Sequence, residues 1–322
     1  MKKDITRILV TGALGQIGSE LTAALRAAYG ADNVLATDLK PAPQPVLDAG
    51  PFTQLDVTNA DEVEGVVRAH EIDTVFHLAA ILSATGEKNP MLCWNVNMNG
   101  TINILQLGVK YEMARVIIPS SIAVWGPGTP PCAPQETALK PTTMYGVTKV
   151  AGEVLADYFF LKYGLDVRGL RYPGIISAET FPGGGTTDYA VAIYYDAVKH
   201  GRYTCFVRED TALPMMYMPD CIKATMDLAQ ADLSSLKHHA DFNVGSMSFT
   251  AKELADSIRK VIPSFTIEYA PDSRQAIADS WPNGVDDTAA RNEWGWNPAY
   301  TLDAMTKDML ERLAAKHAAG LI

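Results

Sequence analysis

The chain of 322 residues is 48% hydrophobic and 20% charged, a composition that suits one large or two smaller globular domains and argues against disorder. Its 27 basic and 37 acidic residues give a net charge of −10, which repels nucleic acid and anionic membranes. No apolar run approaches the roughly 20 residues that cross a membrane. We therefore expect neither nucleic acid nor a membrane as a partner.

The four cysteines, Cys93, Cys132, Cys205 and Cys221, are scattered and form no CxxC pair. Such spacing supports neither a disulfide framework nor a cysteine-ligated zinc site. The six histidines include no HExxH motif, so we expect no metal. Unpaired cysteines are typical of a reducing compartment, and we expect a cytoplasmic protein.

Up to about residue 172, short β-branched runs alternate with longer helical patterns. Strands are predicted at RILVT, VLATD, FTQLD, DTVFHLAA, RVIIPSS and DVRGLRY. Helices are predicted directly after the first strand and over residues 60–70, 94–109 and 144–162. Near-continuous apolar strands that alternate with helices indicate an α/β fold with a doubly wound parallel sheet.

After about Tyr172 the pattern becomes mixed. A glycine run (PGGGTTDY, 182–189) is followed by a predicted helix over residues 188–200, by strands near YTCFV and SFTIEYA, and by two C-terminal helical stretches. This change predicts a smaller, mixed α/β domain laid over one edge of the sheet. We place the first domain at residues 1–174 and the second, substrate-binding domain at residues 175–322, with part of roughly 212–248 returning to the first sheet.

The segment TGALGQIG places Gly12, Gly15 and Gly18 directly after the first strand and at the start of its helix. Glycines at this spacing permit a tight turn and let backbone N–H groups approach a pyrophosphate. The alternative is a purely structural strand-to-helix turn. Asp38 ends the second strand, where its carboxylate can accept both ribose hydroxyls of an adenosine. Because a carboxylate repels a 2′-phosphate, NAD is predicted rather than NADP.

Two further strand ends fit a Rossmann domain that binds NAD. Asp56 and Val57 follow the third strand, where they could meet the adenine. The segment HLAA (77–80) ends in small residues that would let the cofactor pass close to the backbone. His77, at the start of this segment, lies in an apolar run, and we interpret it as an interior histidine whose hydrogen bonds are satisfied.

A catalytic tyrosine needs a nearby cation at neutral pH, because the ordinary pKa of its phenol is about 10. A lysine four residues later on a helix can supply that cation. Three such pairs occur here: Tyr145/Lys149, Tyr158/Lys162 and Tyr195/Lys199. Position favours Tyr145, which begins a helix and follows the strand whose terminal Ser120 and Ser121 reach the same edge of the sheet.

These motifs occur in order along nearly the whole chain: Gly12/Gly15/Gly18, Asp38, HLAA, Asn97, PSSIAVWG, YGVTK and RYPG. The set resembles the extended short-chain dehydrogenase/reductase superfamily, which contains nucleotide-sugar epimerases, dehydratases and several dehydrogenases. The resemblance implies that Tyr145 is the catalytic base and Ser121 the catalytic serine. It also implies that Lys149 holds the nicotinamide ribose and lowers the pKa of the tyrosine, and that Asn97 belongs to the proton relay.

The predicted NAD-binding set combines the motifs with the resemblance. It comprises Gly12, Gly15, Gln16, Ile17, Gly18, Asp38, Asp56, Val57, Leu78, Ala79, Ala80, Asn97, Tyr145, Lys149 and Tyr172. In this superfamily the helices that correspond to residues 94–109 and 144–162 pair across a dimer. The resemblance therefore also implies a homodimer.

The run PGGGTTDY has three interpretations: a phosphate loop, a linker, or the edge of a substrate pocket. No lysine follows the glycines as GxxxxGK[ST] requires, which excludes the phosphate loop. A linker is an open alternative. A pocket edge is favoured because Thr186, Thr187 and Asp188 stand at the start of a predicted helix, where hydroxyls and free N–H groups can bind a carboxylate.

Two departures count against a nucleotide-sugar substrate. Epimerase-like members of the superfamily carry an asparagine after the Arg-Tyr pair, whereas Pro173 and Gly174 stand there in this chain. The segment LPMMYMPD also lacks the arginine and the paired acids that such enzymes show. Four segments resemble the short-chain type of L-threonine 3-dehydrogenase: PGGGTTDY, ILSA (81–84), LPMMYMPDCIKAT and PDSRQAIADSWP (271–282).

That resemblance implies NAD-dependent oxidation of the threonine side-chain hydroxyl to 2-amino-3-oxobutyrate, without a metal. The implied substrate residues are Ser83, Ser121, Tyr145, Gly184, Thr186, Thr187 and Trp281. One alternative is a nucleotide-sugar 4-epimerase that uses NAD and the same Tyr145 without net redox. The other is a non-catalytic, cofactor-binding regulatory or scaffold protein.

Overall fold

Most of the β-strands are short and buried. In the computed structural model, which describes residues 4–181, 183 and 185–322, the strands are β1 (Ile8–Thr11), β2 (Val34–Asp38), β3 (Phe52–Gln54), β4 (Thr74–His77), β5 (Arg115–Ile117), β6 (Ser120–Ser121), β7 (Cys132–Ala133), β8 (Val167–Arg168), β9 (Leu170–Tyr172), β10 (Gly174–Ile176), β11 (Arg202–Cys205), β12 (Ala212–Tyr217), β13 (Phe242–Asn243), β14 (Met247–Thr250), β15 (Thr266–Tyr269) and β16 (Gly284–Val285).

The helices alternate with strands in the first half of the chain and predominate at its C-terminal end. They are α1 (Gln16–Tyr29), α2 (Gln44–Asp48), α3 (Ala60–Ala69), α4 (Ser83–Lys88), α5 (Pro90–Trp94), α6 (Gly100–Lys110), α7 (Met144–Tyr163), α8 (Tyr189–His200), α9 (Met218–Gln230), α10 (Ala251–Val261), α11 (Arg274–Ala278), α12 (Thr288–Trp294) and α13 (Leu302–Ala318). Across the described ranges, no helix has the length and apolar character needed to span a membrane.

Six strands form a parallel sheet in the order β3-β2-β1-β4-β5-β8. The buried residues of β1 alternate between two apolar layers: Ile8 and Val10 pack with α1 and α9, whereas Leu9 packs with α3, α6 and α7. Helices therefore cover both faces of the sheet, as near-continuous apolar strands require. The predicted α/β fold with a doubly wound parallel sheet is confirmed.

The strand order places a topological switch point beside β1. The chain adds β2 and β3 on one side of β1 and then crosses to add β4 and β5 on the other side. Loops that leave the carboxyl ends of β1 and β4 diverge at this point and open a crevice. Ligands of such sheets bind in that crevice.

The chain beyond β9, together with β7, forms small sheets around a separate apolar core. Strands β10, β12 and β14 form one sheet, and two pairs, β11 with β15 and β7 with β16, form the others. Helices α8, α10 and α13 supply much of the apolar core around them. Strand β13 pairs with β9, which pairs with β6, and α9 packs on α1. The division into two domains at residue 174 stays a prediction.

Three predicted elements are interrupted in the structure. The segment RVIIPSS forms β5 in the six-stranded sheet and β6 beside β9. The segment DVRGLRY forms two strands in different sheets, because the N–H of Gly169 donates to the carbonyl of His239 at 2.9 Å and its own carbonyl accepts from Phe242. The predicted helix over residues 94–109 contains a π-helical turn (Asn95–Asn99) between α5 and α6. Asn97 in this turn hydrogen-bonds the backbone of Ile81, which fixes the turn against the segment after β4.

Candidate active site

A cleft of about 230 Å³ opens at the carboxyl ends of β1, β4 and β6. The start of α1, the first turns of α7 and the segment before α8 all border it. Fifteen residues that the sequence assigned to NAD or to substrate line this cleft: Gly12, Gly15, Gln16, Ile17, Gly18, Leu78, Ala80, Ser83, Ser121, Tyr145, Lys149, Tyr172, Thr186, Thr187 and Trp281. The predicted cofactor and substrate residues therefore border one space.

The turn between β1 and α1 has a shape that only glycine permits. Gly12 has a φ of +68°, and a Cβ there would lie 2.7 Å from the backbone nitrogen of Ala79. A Cβ on Gly18 would lie 2.1 Å from the carbonyl oxygen of Gly12. Gly15 is the N-cap of the 14-residue helix α1, so no side chain caps the free N–H groups of its first turn. These groups fit the anionic pyrophosphate of a dinucleotide.

Asp38 ends β2 beside this turn. Its Oδ2 accepts a hydrogen bond from the N–H of Leu14 at 3.0 Å, and its Oδ1 accepts from the N–H of Lys40 at 3.2 Å. Each carboxylate oxygen has room for a further donor. The carboxylate is thus oriented by the backbone and can still accept ribose hydroxyls, although it lies outside the lining of the cleft itself.

The two residues that were predicted to contact adenine, Asp56 and Val57, follow β3, which lies beyond β2 in the sheet. Asp56 accepts hydrogen bonds from the N–H and the hydroxyl of Thr58 at 2.9 and 2.7 Å. Val57 is buried, and its carbonyl accepts from the side-chain amide of Asn103. Neither residue lines the cleft, and their contact with adenine stays a prediction.

The start of α7 places Tyr145 over the end of β6. The hydroxyl of Thr143 caps the helix by accepting from the N–H of Gly146 at 3.1 Å, and Glu87 accepts from the N–H of Met144 at 2.7 Å. A Cβ on Gly146 would lie only 2.2 Å from the carbonyl oxygen of Ala123. The helix can therefore approach the turn that follows β6 only because residue 146 has no side chain.

Ser121, Tyr145 and Lys149 form a connected group at this contact. Ser121 lies close enough to Tyr145 to lower the pKa of its phenol, and the Nζ atom of Lys149 lies 5.5 Å from the centroid of the tyrosine ring. The ammonium donates to the carbonyl of Pro119 at 2.7 Å. The three residues thus stand in the arrangement that alcohol oxidation by a tyrosine base needs.

Burial opposes the charge on both titrating groups of this cluster. Burial raises the pKa of Tyr145 to about 12, against a smaller lowering by the hydrogen bond from Ser121. Burial likewise lowers the pKa of Lys149 to about 8, although Cys93 and Glu153 raise it in part. The expected lowering of the tyrosine pKa by Lys149 is therefore outweighed by desolvation in the protein alone.

The other two Tyr/Lys pairs lie outside the cleft. Tyr158 is exposed on α7, with the ammonium of Lys162 5.3 Å from its ring centroid. Tyr195 is buried in the core around α8, and its hydroxyl is directed to the carbonyl of Ala178. Neither pair meets a serine at a strand end, so position separates Tyr145 from them as the sequence predicted.

Asn97 does not line the cleft, because its side chain is bonded elsewhere. Its Oδ1 accepts from the N–H of Ile81 at 2.8 Å, and its Nδ2 donates to the carbonyl of Ile81 at 3.1 Å and to the hydroxyl of Thr148 at 3.0 Å. These bonds tie the π-helical turn to the segment after β4 and to α7. A role for Asn97 in a proton relay stays a prediction.

The interpretation of His77 as a fully satisfied interior histidine is wrong. Its Nδ1 lies 2.8 Å from the hydroxyl of Thr11, but its Nε2 is buried and has no hydrogen-bond partner among the described residues. Burial, with a smaller contribution from Lys149, lowers the pKa of His77 to about 3, so the ring is neutral. A sequence pattern could not show this, because Thr11 is 66 residues away.

The segment after the glycine run reaches the cleft through Thr186. Its hydroxyl lies 3.3 Å from the hydroxyl of Ser83, and both side chains are buried. Within the adjoining turn the N–H of Gly185 donates to the carboxylate of Asp188 at 2.8 Å. Gly184 lies outside the described residues, so its predicted contact with substrate stays a prediction.

Gly174 lines the cleft, although no binding role was predicted for it. A Cβ there would lie 2.8 Å from the Cβ of Thr187 and 2.4 Å from the sulfur of Met215. The absent side chain is what lets Thr187 stand at the wall of the cleft. Tyr172 also lines the cleft. Its hydroxyl is hydrogen-bonded to Thr225 on α9, so the aromatic ring is the part that remains to contact a ligand.

Comparison with known proteins assigns the chain to a family. The model of the NAD dependent epimerase/dehydratase family matches residues 8–245, which include β1, the glycine turn, Ser121 and the Tyr145/Lys149 pair. The chain belongs to this family. The match ends within the segment that follows β13.

Relatives within the family resemble the chain over nearly its whole length. L-threonine dehydrogenase from Clostridium difficile is 49% identical, with a TM-score of 0.95 over 98% of this chain and 99% of that one. A monomeric L-threonine 3-dehydrogenase from a metagenome is 48% identical, with a TM-score of 0.93 over 96% and 99%. An uncharacterized epimerase/dehydratase of Staphylococcus haemolyticus is 49% identical over 96% of this chain and 98% of its own.

Several lining residues of this family member were missed by sequence reasoning. They are His77, Leu82, Pro119, Ile122, Pro173, Gly174, Ile175 and Gly185. Each lies within three residues of a predicted residue, so the motifs located the right segments but not every side chain that faces the cleft. Among the described residues, no group of three or more His, Cys, Asp or Glu side chains could hold a metal ion.

Proposed function

We propose that this member of the NAD dependent epimerase/dehydratase family oxidises the side-chain hydroxyl of L-threonine with NAD. The observation that carries the proposal is one cleft that is lined both by Ser121 and Tyr145 and by a buried pair of hydroxyls, Ser83 and Thr186. Support comes from the L-threonine dehydrogenases to which the chain is about half identical over nearly its full length.

The substrate hydroxyl would lie between Ser121 and Tyr145. Ser121 hydrogen-bonds the hydroxyl oxygen and orients it, and the Oη of Tyr145, as phenolate, takes the hydroxyl proton. NAD⁺, when bound, supplies the acceptor for the hydride that leaves the same carbon. The products are L-2-amino-3-oxobutyrate, NADH and the proton held at Tyr145.

The tyrosine needs positive charge to ionise, because burial raises its pKa to about 12. Lys149 supplies part of this charge, with its ammonium 5.5 Å from the ring centroid. An N–H group of the ammonium that is not bonded to Pro119 can bind a hydroxyl of the nicotinamide ribose. A cationic cofactor ring beside the phenol would add to this effect, so we expect the base to form fully only in the cofactor complex.

The proposed substrate end recognises the amino acid by hydrogen bonds and shape. Ser83, Thr186 and Thr187 offer hydroxyl groups to the amino and carboxylate ends of threonine. Trp281 closes the wall on the side of the small sheets. Gly184 belongs to this proposed pocket on the sequence alone.

The deciding experiment mixes the purified protein with NAD and a panel of L-threonine, other 3-hydroxy amino acids, simple hydroxy acids and nucleotide-sugars. We expect NADH to form with L-threonine in preference to all others, as followed by its absorbance. Conversion of a nucleotide-sugar without net NADH would instead show a 4-epimerase. Binding of NAD without turnover of any substrate would indicate a non-catalytic protein.

A homodimer through the helices over residues 94–109 and 144–162 is part of the proposal, and we extend the interface to the adjoining helix α5. Eight of the fourteen exposed large apolar side chains in the described part of the chain lie on α5 and α7: Met91, Leu92, Trp94, Val147, Val154, Tyr158, Leu161 and Tyr163. Clusters of this kind mark protein interfaces. One relative is monomeric, so the state must be measured.

Sedimentation of the wild type and of Leu161→Lys provides that measurement. We expect a dimer that becomes a monomer in the variant, whereas Leu321→Lys, at an exposed apolar residue near the C-terminus, should leave the dimer intact. A wild-type monomer would refute the proposed interface. The proposal also includes a cofactor domain up to residue 174 and a substrate domain beyond it. It further includes a cytoplasmic location, and this location is supported by the four free cysteines.

A further inference from the structure

A second, smaller cavity of about 20 Å³ lies beside the cleft, between β4 and α7. Its polar lining consists of His77, Asn97, Thr101, Ser120, Thr148, Lys149 and Glu153. A space of roughly 10–15 Å³ is enough for one water molecule when polar partners surround it. This cavity therefore has the size and the lining for a single water.

Most of these polar groups already bond one another. The amide of Asn97 donates to the hydroxyl of Thr148 at 3.0 Å, and that hydroxyl donates to the carbonyl of Tyr145 at 2.7 Å. Glu153 accepts from the hydroxyl of Ser120 and from the guanidinium of Arg171. Two lining side chains have a nitrogen whose hydrogen-bonding capacity is not used up among the described residues: His77, through Nε2, and Lys149, through its ammonium.

The geometry around His77 indicates which ring nitrogen carries its proton. The hydroxyl of Thr11 accepts from the N–H of Ala79 at 3.3 Å and lies 2.8 Å from Nδ1 of His77. The proton of this hydroxyl has no other acceptor among the described residues, which favours its donation to Nδ1. The ring proton then resides on Nε2, the buried nitrogen that has no partner among the described residues.

Lys149 is short of partners in the same region. Its ammonium has three N–H donors, one of which is directed to the carbonyl of Pro119 at 2.7 Å. The side chain lines both the cleft and the small cavity. A partly buried ammonium is costly unless its donors are satisfied, and a second acceptor on the cavity side would meet this need.

We propose that the small cavity binds one water molecule, which accepts hydrogen bonds from Nε2–H of His77 and from an N–H of Lys149. His77 is then a positioning residue that acts through this water. The water and the Pro119 carbonyl fix two N–H groups of the ammonium, so that the third is directed into the cleft. This site is a property of the protein alone, and its test does not depend on the identity of the substrate.

A neutral histidine suits this position. The titratable groups that face the ammonium are Tyr145 and Glu153 on α7, Cys93 on α5 and His77 on β4. Burial lowers the pKa of His77 to about 3, so the ring donates a hydrogen bond without adding positive charge beside Lys149. A second cation there would disfavour the ammonium by like-charge repulsion.

The first test reads the ring proton directly. Nitrogen-15 spectra of the histidine rings are recorded on the full-length protein without cofactor, and the His77 signal is identified by its loss in His77→Gln. We expect a neutral ring protonated on Nε2 across the range in which ordinary histidines titrate, about pH 5 to 8. A proton on Nδ1, or an imidazolium ring at neutral pH, would overturn the proposal.

The second test measures the pKa of Lys149 with carbon-13-labelled lysine, the signal being identified by its loss in Lys149→Met. His77→Leu keeps the bulk of the ring but removes the donor, whereas His77→Gln offers an amide N–H near the position of Nε2. We expect the pKa of Lys149 to fall by about one unit in the leucine variant, the effect of one hydrogen bond to a charged group, and to recover in the glutamine variant.

A matched control replaces a histidine that does not line the cavity. His239 also has a buried ring nitrogen without a partner among the described residues, and His239→Gln should leave the pKa of Lys149 unchanged. If His77→Leu does not fold, His77→Met serves as the apolar variant. A Lys149 pKa that is the same in the wild type and in the folded apolar variant would refute the positioning role.

Discussion

The carbonyl oxygen of Ala123 lies 2.2 Å from the position that a Cβ on Gly146 would occupy. Helix α7 therefore meets the turn after β6 backbone to backbone, and this contact sets the separation between Tyr145 on the helix and Ser121 on the strand. The partner is a backbone oxygen rather than a flexible side chain, so a methyl group at residue 146 must push the two elements apart.

Gly146→Ala should consequently impair catalysis more than stability. A displacement of about 1 Å at the reacting groups typically costs about 100-fold in rate, so we expect kcat to fall by about that factor while NAD affinity changes little. Gly65→Ala on α3 is the control, because a Cβ there meets nothing within 4 Å; it should keep full activity. Wild-type kcat in the Gly146→Ala variant would show that this contact does not position the base.

Tyr145→Phe should abolish turnover and leave NAD affinity nearly unchanged, because only the proton-transfer group is removed. The ring still fills its place against Lys149, so the fold should persist. Steady-state kinetics and direct NAD titration measure the two quantities. Tyr158→Phe, at an exposed tyrosine that also stands beside a lysine, should be fully active. A substantial residual rate in Tyr145→Phe would mean that the base is misassigned.

Asp38→Ser should relax the preference for NAD over NADP. The carboxylate is held beside the glycine turn by the N–H groups of Leu14 and Lys40, where it repels a 2′-phosphate. The ratio of kcat/KM for the two cofactors is the measurement. Asp48→Ser, an exposed acid on α2, serves as the control with an unchanged ratio. An unchanged ratio in Asp38→Ser as well would place the discrimination elsewhere.

Thr186→Ala should raise KM for L-threonine about 10-fold or more without a change in NAD affinity, because a buried polar pocket loses a hydrogen-bonding partner. Its hydroxyl lies 3.3 Å from that of Ser83, so Ser83→Ala and the double variant should show non-additive losses in kcat/KM. Thr204→Ala, exposed on β11, is the control. Wild-type KM in both single variants would support the linker interpretation of the glycine run.

Lys149 should reduce the stability of the cofactor-free protein at neutral pH. Its folded pKa of about 8 lies below the ordinary value of about 10.4, so between these values the unfolded chain binds more protons and stability rises with pH. Relative to Lys149→Met, the free energy of unfolding of the wild type should increase by about 2 kcal/mol between roughly pH 8 and 10. Denaturant unfolding at several pH values checks this, and a constant difference between the two proteins would contradict it.

The sequence by itself determined the parallel sheet and the cofactor end of the site. Both are encoded in short-range patterns: apolar strands at fixed intervals, and the turn at Gly12 to Gly18 followed by Asp38 at the end of the next strand. Such patterns act through the local backbone, where a glycine without a Cβ or a strand without polar residues permits few alternatives. The choice of Tyr145 over two other tyrosines also followed from its position after a strand that ends in serine.

Only the tertiary structure decided which side chains are bonded and which are left free. Asn97 and His77 are both polar residues in motifs, yet Ile81 and Thr148 take up the amide of Asn97 while Nε2 of His77 has no partner among the described residues. Likewise, the contact of Gly174 with Thr187 depends on how β10 packs against the segment before α8. The bonds of a side chain depend on which segments its fold brings beside it, and these partners are often tens of residues away in sequence, beyond the reach of any local pattern.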